Sequence, residues 1–208
     1  MAAGRARPGN INASLCVADA GTPDADAGPA DAAPLDPNTA EEGLYIATCI
    51  TSISSQDPAK VLRFYTTVTK DPKQKGAFGL SLKPMKGWDT SVGGSGAPVP
   101  PASVSLSETL GTAVNSNNVV PNGGKFVAPL GEFTIPAAAN SLGGSEMVLN
   151  ANLNGSLAGG RLGCAILSGS VSKPVPVPLT GDREVCLFKK VNEGAAVPMY
   201  TVAQFVCP

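Results

Sequence analysis

Glu146–Asn154 reads EMVLNANLN, and its alternation decides the fold class. Met147, Leu149, Ala151 and Leu153 take one side of a two-residue repeat; Glu146, Asn150, Asn152 and Asn154 take the other. Only Val148 departs from it. Alternate side chains of a strand point to opposite faces, so the stretch predicts a half-buried strand whose outer face is lined with asparagine.

The same pattern extends on both sides. Upstream, the Pro121-Asn-Gly-Gly turn precedes strand-like runs at Lys125–Leu130 and Glu132–Ile135. Before it stand Ala102–Leu110 and Val119–Val120. Earlier still, Leu44–Thr51, Lys60–Lys70 and Ala77–Leu82 alternate or are rich in β-branched residues. Downstream, Gly155–Gly160 turns the chain into Arg161–Val171, where Gly163 and Gly169 predict bulges or close packing. Pro174, Pro176 and Pro178 confine the next stretch to an edge or loop. Arg183–Val191 and Val197–Cys207 read as the last strands. With 24 Gly, 19 Pro and little helical periodicity, the expected fold is all-β. Its expected form is a two-sheet antiparallel β-sandwich, with a closed β-barrel as the alternative.

The domain is expected over 41–208, behind an arm at 1–40. Val17–Ala40 contains five Asp, four Pro and eight Ala but only Val17 and Leu35 as larger apolar groups. Such a segment buries too little surface to offset its ordering entropy, so it is expected to be disordered. The arm carries a net −5 over these residues, whereas 41–208 hold thirteen Lys/Arg against eleven Asp/Glu.

Five cysteines are present, with Cys16 in the arm and Cys49, Cys164, Cys186 and Cys207 in the body. An even set within the domain suits two disulfides, and the absence of any C-x-x-C disfavours a redox or zinc motif. Four cysteines allow three pairings. Cys49–Cys207 with Cys164–Cys186 is the preferred one, because it would clasp the first strand to the last.

Cys16 followed by the Asp-Ala-Gly-Pro-rich run to Pro37 resembles the exported lipoproteins of myxobacteria and related high-GC bacteria. Leu15 stands where that pattern carries a small residue. The resemblance implies an extracytoplasmic, envelope-associated protein with Cys16 as the lipid anchor. That anchor would be its one link to a membrane, and a signal peptide is expected to precede the sequence given.

The chain has no histidine, which excludes serine–histidine and cysteine–histidine catalysis within it. Paired carboxylates could still serve a glycosidase, and Glu132 and Glu146 are the best-placed strand-end pair. Neither has the spacing of an acid and a nucleophile, so no catalytic residue is assigned. Trp88, the only tryptophan, lies in the Gly/Pro-rich stretch 83–101 and is the candidate ligand contact. No phosphate-cradling loop, metal set or basic stripe is present, so no cofactor, metal or nucleic acid is expected. The sequence thus points to a non-catalytic structural or binding role toward a surface or envelope partner, carbohydrate among them. A secreted carbohydrate-active or other hydrolase is the alternative.

Overall fold

A computed structural model describes residues 36, 38–54, 57–88, 96–181 and 183–207. Among these residues there are nine strands and no α-helix. The strands are β1 (Gly43–Cys49), β2 (Leu62–Lys70), β3 (Phe78–Pro84), β4 (Val114–Val119), β5 (Lys125–Ile135), β6 (Met147–Ala158), β7 (Arg161–Lys173), β8 (Val177–Leu179) and β9 (Val185–Lys190). The predicted arm up to residue 35, with Cys16, lies outside the described residues.

Every pairing is antiparallel, in the order β4-β3-β2-β1-β9-β7-β6-β5, with β8 beside the far half of β7. Followed around the ring, β1 to β4 and β5 to β7 are meanders, while β8 pairs only with β7 and β9 takes the place between β7 and β1. The ring is joined where β9 returns to pair with β1. The one ladder missing from full closure is between β4 and β5, although the Pro121–Gly124 turn connects them directly. All nine strands therefore share one sheet curled nearly into a barrel. The all-β expectation holds, and the barrel alternative describes the arrangement.

Inward-facing residues fill the barrel. Tyr45, Ala47 and Cys49 of β1, Leu62, Phe64 and Val68 of β2, and Leu149, Ala151 and Leu153 of β6 belong to one buried cluster. This is the alternation seen in EMVLNANLN, and Asn150, Asn152 and Asn154 face solvent as predicted. The two runs expected at 125–135 form one strand, with a register shift between Pro129 and Gly131. Gly163 is the extra residue in a second shift, since Ser156 faces Cys164 while Leu157 faces Leu162.

Two expected strands are absent. Ala102–Leu110 contains a single 3-10 turn at Leu106–Glu108, and Val197–Cys207 contains another at Val202–Gln204. Val197–Cys207 lies against the outer face of the sheet, where it meets side chains. Ala102–Leu110 reaches the backbone just past β3 at its end, where Thr109 bridges Met85 and the Leu110 N–H donates to the Pro84 carbonyl (2.8 Å). Val104 and Val197 pack on Ile46 and Met85, and Phe205 packs with Val61 and Val185. The body also begins earlier than residue 41. Ala40 is buried, the Glu41 N–H donates to the Gly160 carbonyl (2.6 Å), and the Asn38 side-chain oxygen accepts from the Gly124 N–H (3.1 Å).

Candidate functional site

The four body cysteines form two disulfides, Cys49–Cys186 and Cys164–Cys207. This corrects the preferred pairing, and the reason lies in the pleat. Cys164 faces Leu187 and Ala165 faces Cys186 across the β7–β9 ladder, so Cys164 and Cys186 are offset by one residue. An offset of one places two side chains on opposite faces of a sheet. Cys49 and Cys186 lie inside the barrel as register partners of β1 and β9. Cys164 and Cys207 lie outside it. The first and last strands are thus clasped, as the sequence suggested, but the last strand is β9.

Cys207 ends a strap, residues 191–207, that crosses the outer faces of β9, β1 and β2. The Gly194 N–H donates to the Val104 carbonyl (2.7 Å), and the Val104 N–H to the Ala195 carbonyl (2.7 Å). Glu193 accepts from the Leu106 N–H (2.9 Å) and the Tyr65 hydroxyl (2.8 Å). These two donors hold its carboxyl below the ordinary range. Burial, reinforced by the Glu193 carboxylate, pushes the Tyr65 phenol up to about 12.

Two polar residues are trapped under this strap. Arg63 and Thr48 are register partners across β1–β2, and both are outward-facing yet buried. Among the described residues, neither the Arg63 Nε nor the Thr48 Oγ1 has a hydrogen-bond partner. One guanidinium nitrogen, Nη2, reaches the Met199 sulfur at 3.7 Å, which is a weak acceptor. Burial lowers the guanidinium to about 10, so it stays charged at neutral pH. An uncompensated buried charge costs several kcal/mol on general grounds. The sequence places Arg63 on the non-core face of its strand. No local signal shows that a segment more than a hundred residues later covers it.

The open seam makes a second feature. Where β4 and β5 diverge, a groove of about 540 Å³ is lined by Gly111–Asn115 on one side and Leu130, Glu132, Phe133, Thr134 and Pro136 on the other. Phe133 is half-buried and meets Phe64 edge-on, with ring centroids 6.4 Å apart. Glu132, Thr112 and Thr134 give the groove a polar rim.

Trp88 is half-buried at one end of the barrel. Its backbone N–H donates to the Ala138 carbonyl (3.0 Å), and its backbone bridges to Pro98. Its ring lies over Gly144, where a Cβ would come within 2.4 Å of the indole. Trp88 therefore pins the loop that carries it, whose residues 89–95 lie outside the described set. Trp88 does not line the seam groove. Glu132 and Glu146 are not brought together either. Glu132 faces Asn150, four residues along the chain from Glu146, which puts their backbones roughly 13 Å apart at the usual strand rise.

Glu184 is the buried carboxylate that sequence reading passed over. It accepts from the backbone N–H groups of Gly181 (2.9 Å), Arg183 (3.2 Å) and Ser52 (3.2 Å), tying the β8–β9 turn to the end of β1. Burial opposes its charge, but the donors outweigh it and hold the carboxyl below its ordinary value. Among the described residues, no helix is long and apolar enough to cross a membrane. No family model, curated protein or solved structure matches this chain.

Proposed function

We propose that this is an exported, envelope-associated binding domain without catalytic activity, held at the cell surface by its N-terminal arm and using the β4–β5 seam as its contact surface. The observation that carries the reading is the pair of disulfides, Cys49–Cys186 and Cys164–Cys207. Structural disulfides persist in oxidising compartments and are rare in a reducing cytosol, so two of them are compatible with an extracytoplasmic location. The resemblance of Cys16 and its linker to bacterial lipoproteins supports the same address.

A groove with one accessible aromatic edge, two threonines and a single carboxylate suits a hydroxyl-rich ligand, and carbohydrate of the envelope is the class favoured. The hydrolase alternative is not favoured, because Glu132 is the one carboxylate among the residues that line the groove.

The address is tested by alkylating intact cells with a thiol reagent before lysis. The four body cysteines should resist labelling until a reductant is added, and the chain should fractionate with the envelope. Four labelled thiols in the cytosolic fraction would overturn the reading. The contact surface is tested on a glycan array. Glu132→Gln and Thr112→Val should each weaken any signal several-fold, and binding unchanged in both would remove the seam from the proposal.

A further inference from the structure

From the geometry under the strap we infer that Arg63 and Thr48 form a binding site for one compact monovalent anion, of halide size. Three observations converge, none of which involves the seam. Arg63 is 4 % exposed and Thr48 is 2 % exposed, so both polar groups are withdrawn from bulk water. The Nε–H of one and the hydroxyl of the other lack a protein acceptor among the described residues. No carboxylate pairs with Arg63: the four ion pairs among the described residues involve Lys70, Lys86, Arg161 and Lys190.

The register sets the two side chains next to each other on the outer face. Side chains directly opposite on antiparallel strands have their Cβ atoms about 5 Å apart, so an Nε–H and a hydroxyl can reach a common acceptor between them. The surroundings select its charge and size. Apolar side chains lie along the sheet on either side, Ile46, Met85 and Val197 in one cluster and Val61, Val185 and Phe205 in the other. A single negative charge neutralises the guanidinium there, whereas a phosphate or sulfate dianion would leave a buried excess. The roof over Arg63 is the side chain of Met199, itself 59 % exposed, whose flexible thioether gives the ion a way in.

The site is tested on the oxidised full chain with bromide as the probe. Crystals grown in sodium bromide should show an anomalous peak within hydrogen-bonding reach of Arg63 Nε and Thr48 Oγ1. In solution, the bromide resonance should broaden saturably. Arg63→Met should abolish that component, and the isosteric Thr48→Val should weaken bromide binding at least fivefold. Thr48→Val keeps the arginine and the shape of the site, so it reads the site even if Arg63→Met does not fold. An anomalous map empty at Arg63, with only water between the two side chains, would overturn the inference. So would broadening equal in the wild type and Thr48→Val.

Discussion

Gly169 carries the tightest backbone constraint in the barrel. Its φ is +137°, and a Cβ there would lie 2.1 Å from the carbonyl oxygen of Asn150 on β6. Neither the conformation nor the space admits a side chain, so Gly169→Ala should destabilise the protein by about 3 kcal/mol or more, read as the shift of a urea unfolding midpoint. Glu184 is a second such position, through charge. Its carboxyl is held below the ordinary 4.5, so its contribution is fully present above that value and is lost as the pH falls through the folded-state pKa. Glu184→Gln should therefore cost about 1–3 kcal/mol at pH 7, with the gap to wild type closing as the pH falls below the ordinary carboxyl range and through the lowered folded-state value. A gap that stayed constant with pH would show that the charge is not what matters. The sequence made Gly169 legible, because an isolated glycine within a strand pattern signals close approach. Glu184 was not legible, since its donors come from two separate loops.

Among the elements, β1, β2, β3, β6, β7 and β9 were readable from alternation or from apolar and β-branched content, because each buries at least one face. The strap was not. Residues 197–207 mimic a strand, with Val197, Phe205 and Cys207 spaced by even numbers, yet they lie on side chains and form no ladder. Alternation reports burial of one side, and that burial can come from lying flat on a sheet as well as from joining one. The strap is held by Val197, Phe205, the Glu193 hydrogen bonds and the Cys164–Cys207 bridge. Cys207→Ser should leave the barrel folded while making 191–207 susceptible to limited proteolysis. Loop-closure entropy puts the accompanying loss at up to about 4 kcal/mol for the 43-residue separation. Arg63 and Thr48 escaped the sequence reading for the same reason: their burial depends on the strap.

At the scale of the molecule, the pairing of β1 with β9 joins residues 137 apart at the disulfide, the costliest contact to form and the one locked by a covalent bond. The opposite side of the ring, between β4 and β5, is unzipped. Amide hydrogen exchange should follow this division, with Tyr45–Cys49 and Cys186–Lys190 among the slowest amides and the β4 amides that face β5 exchanging much faster. The topology was only half legible. The number and antiparallel sense of the strands follow from alternation and turns, but two sheets and one curled sheet share the same pattern. The β1–β9 ladder tells them apart, since it joins the two halves of the chain into one continuous sheet, and the Cys49–Cys186 bridge lies on that ladder. The most direct test is disulfide mapping by mass spectrometry of the non-reduced protein, in which trypsin leaves the four body cysteines on four separate peptides. The barrel requires Cys49 linked to Cys186 and Cys164 linked to Cys207. Cys49 linked to Cys207, Cys164 linked to Cys186, or four free thiols would contradict it.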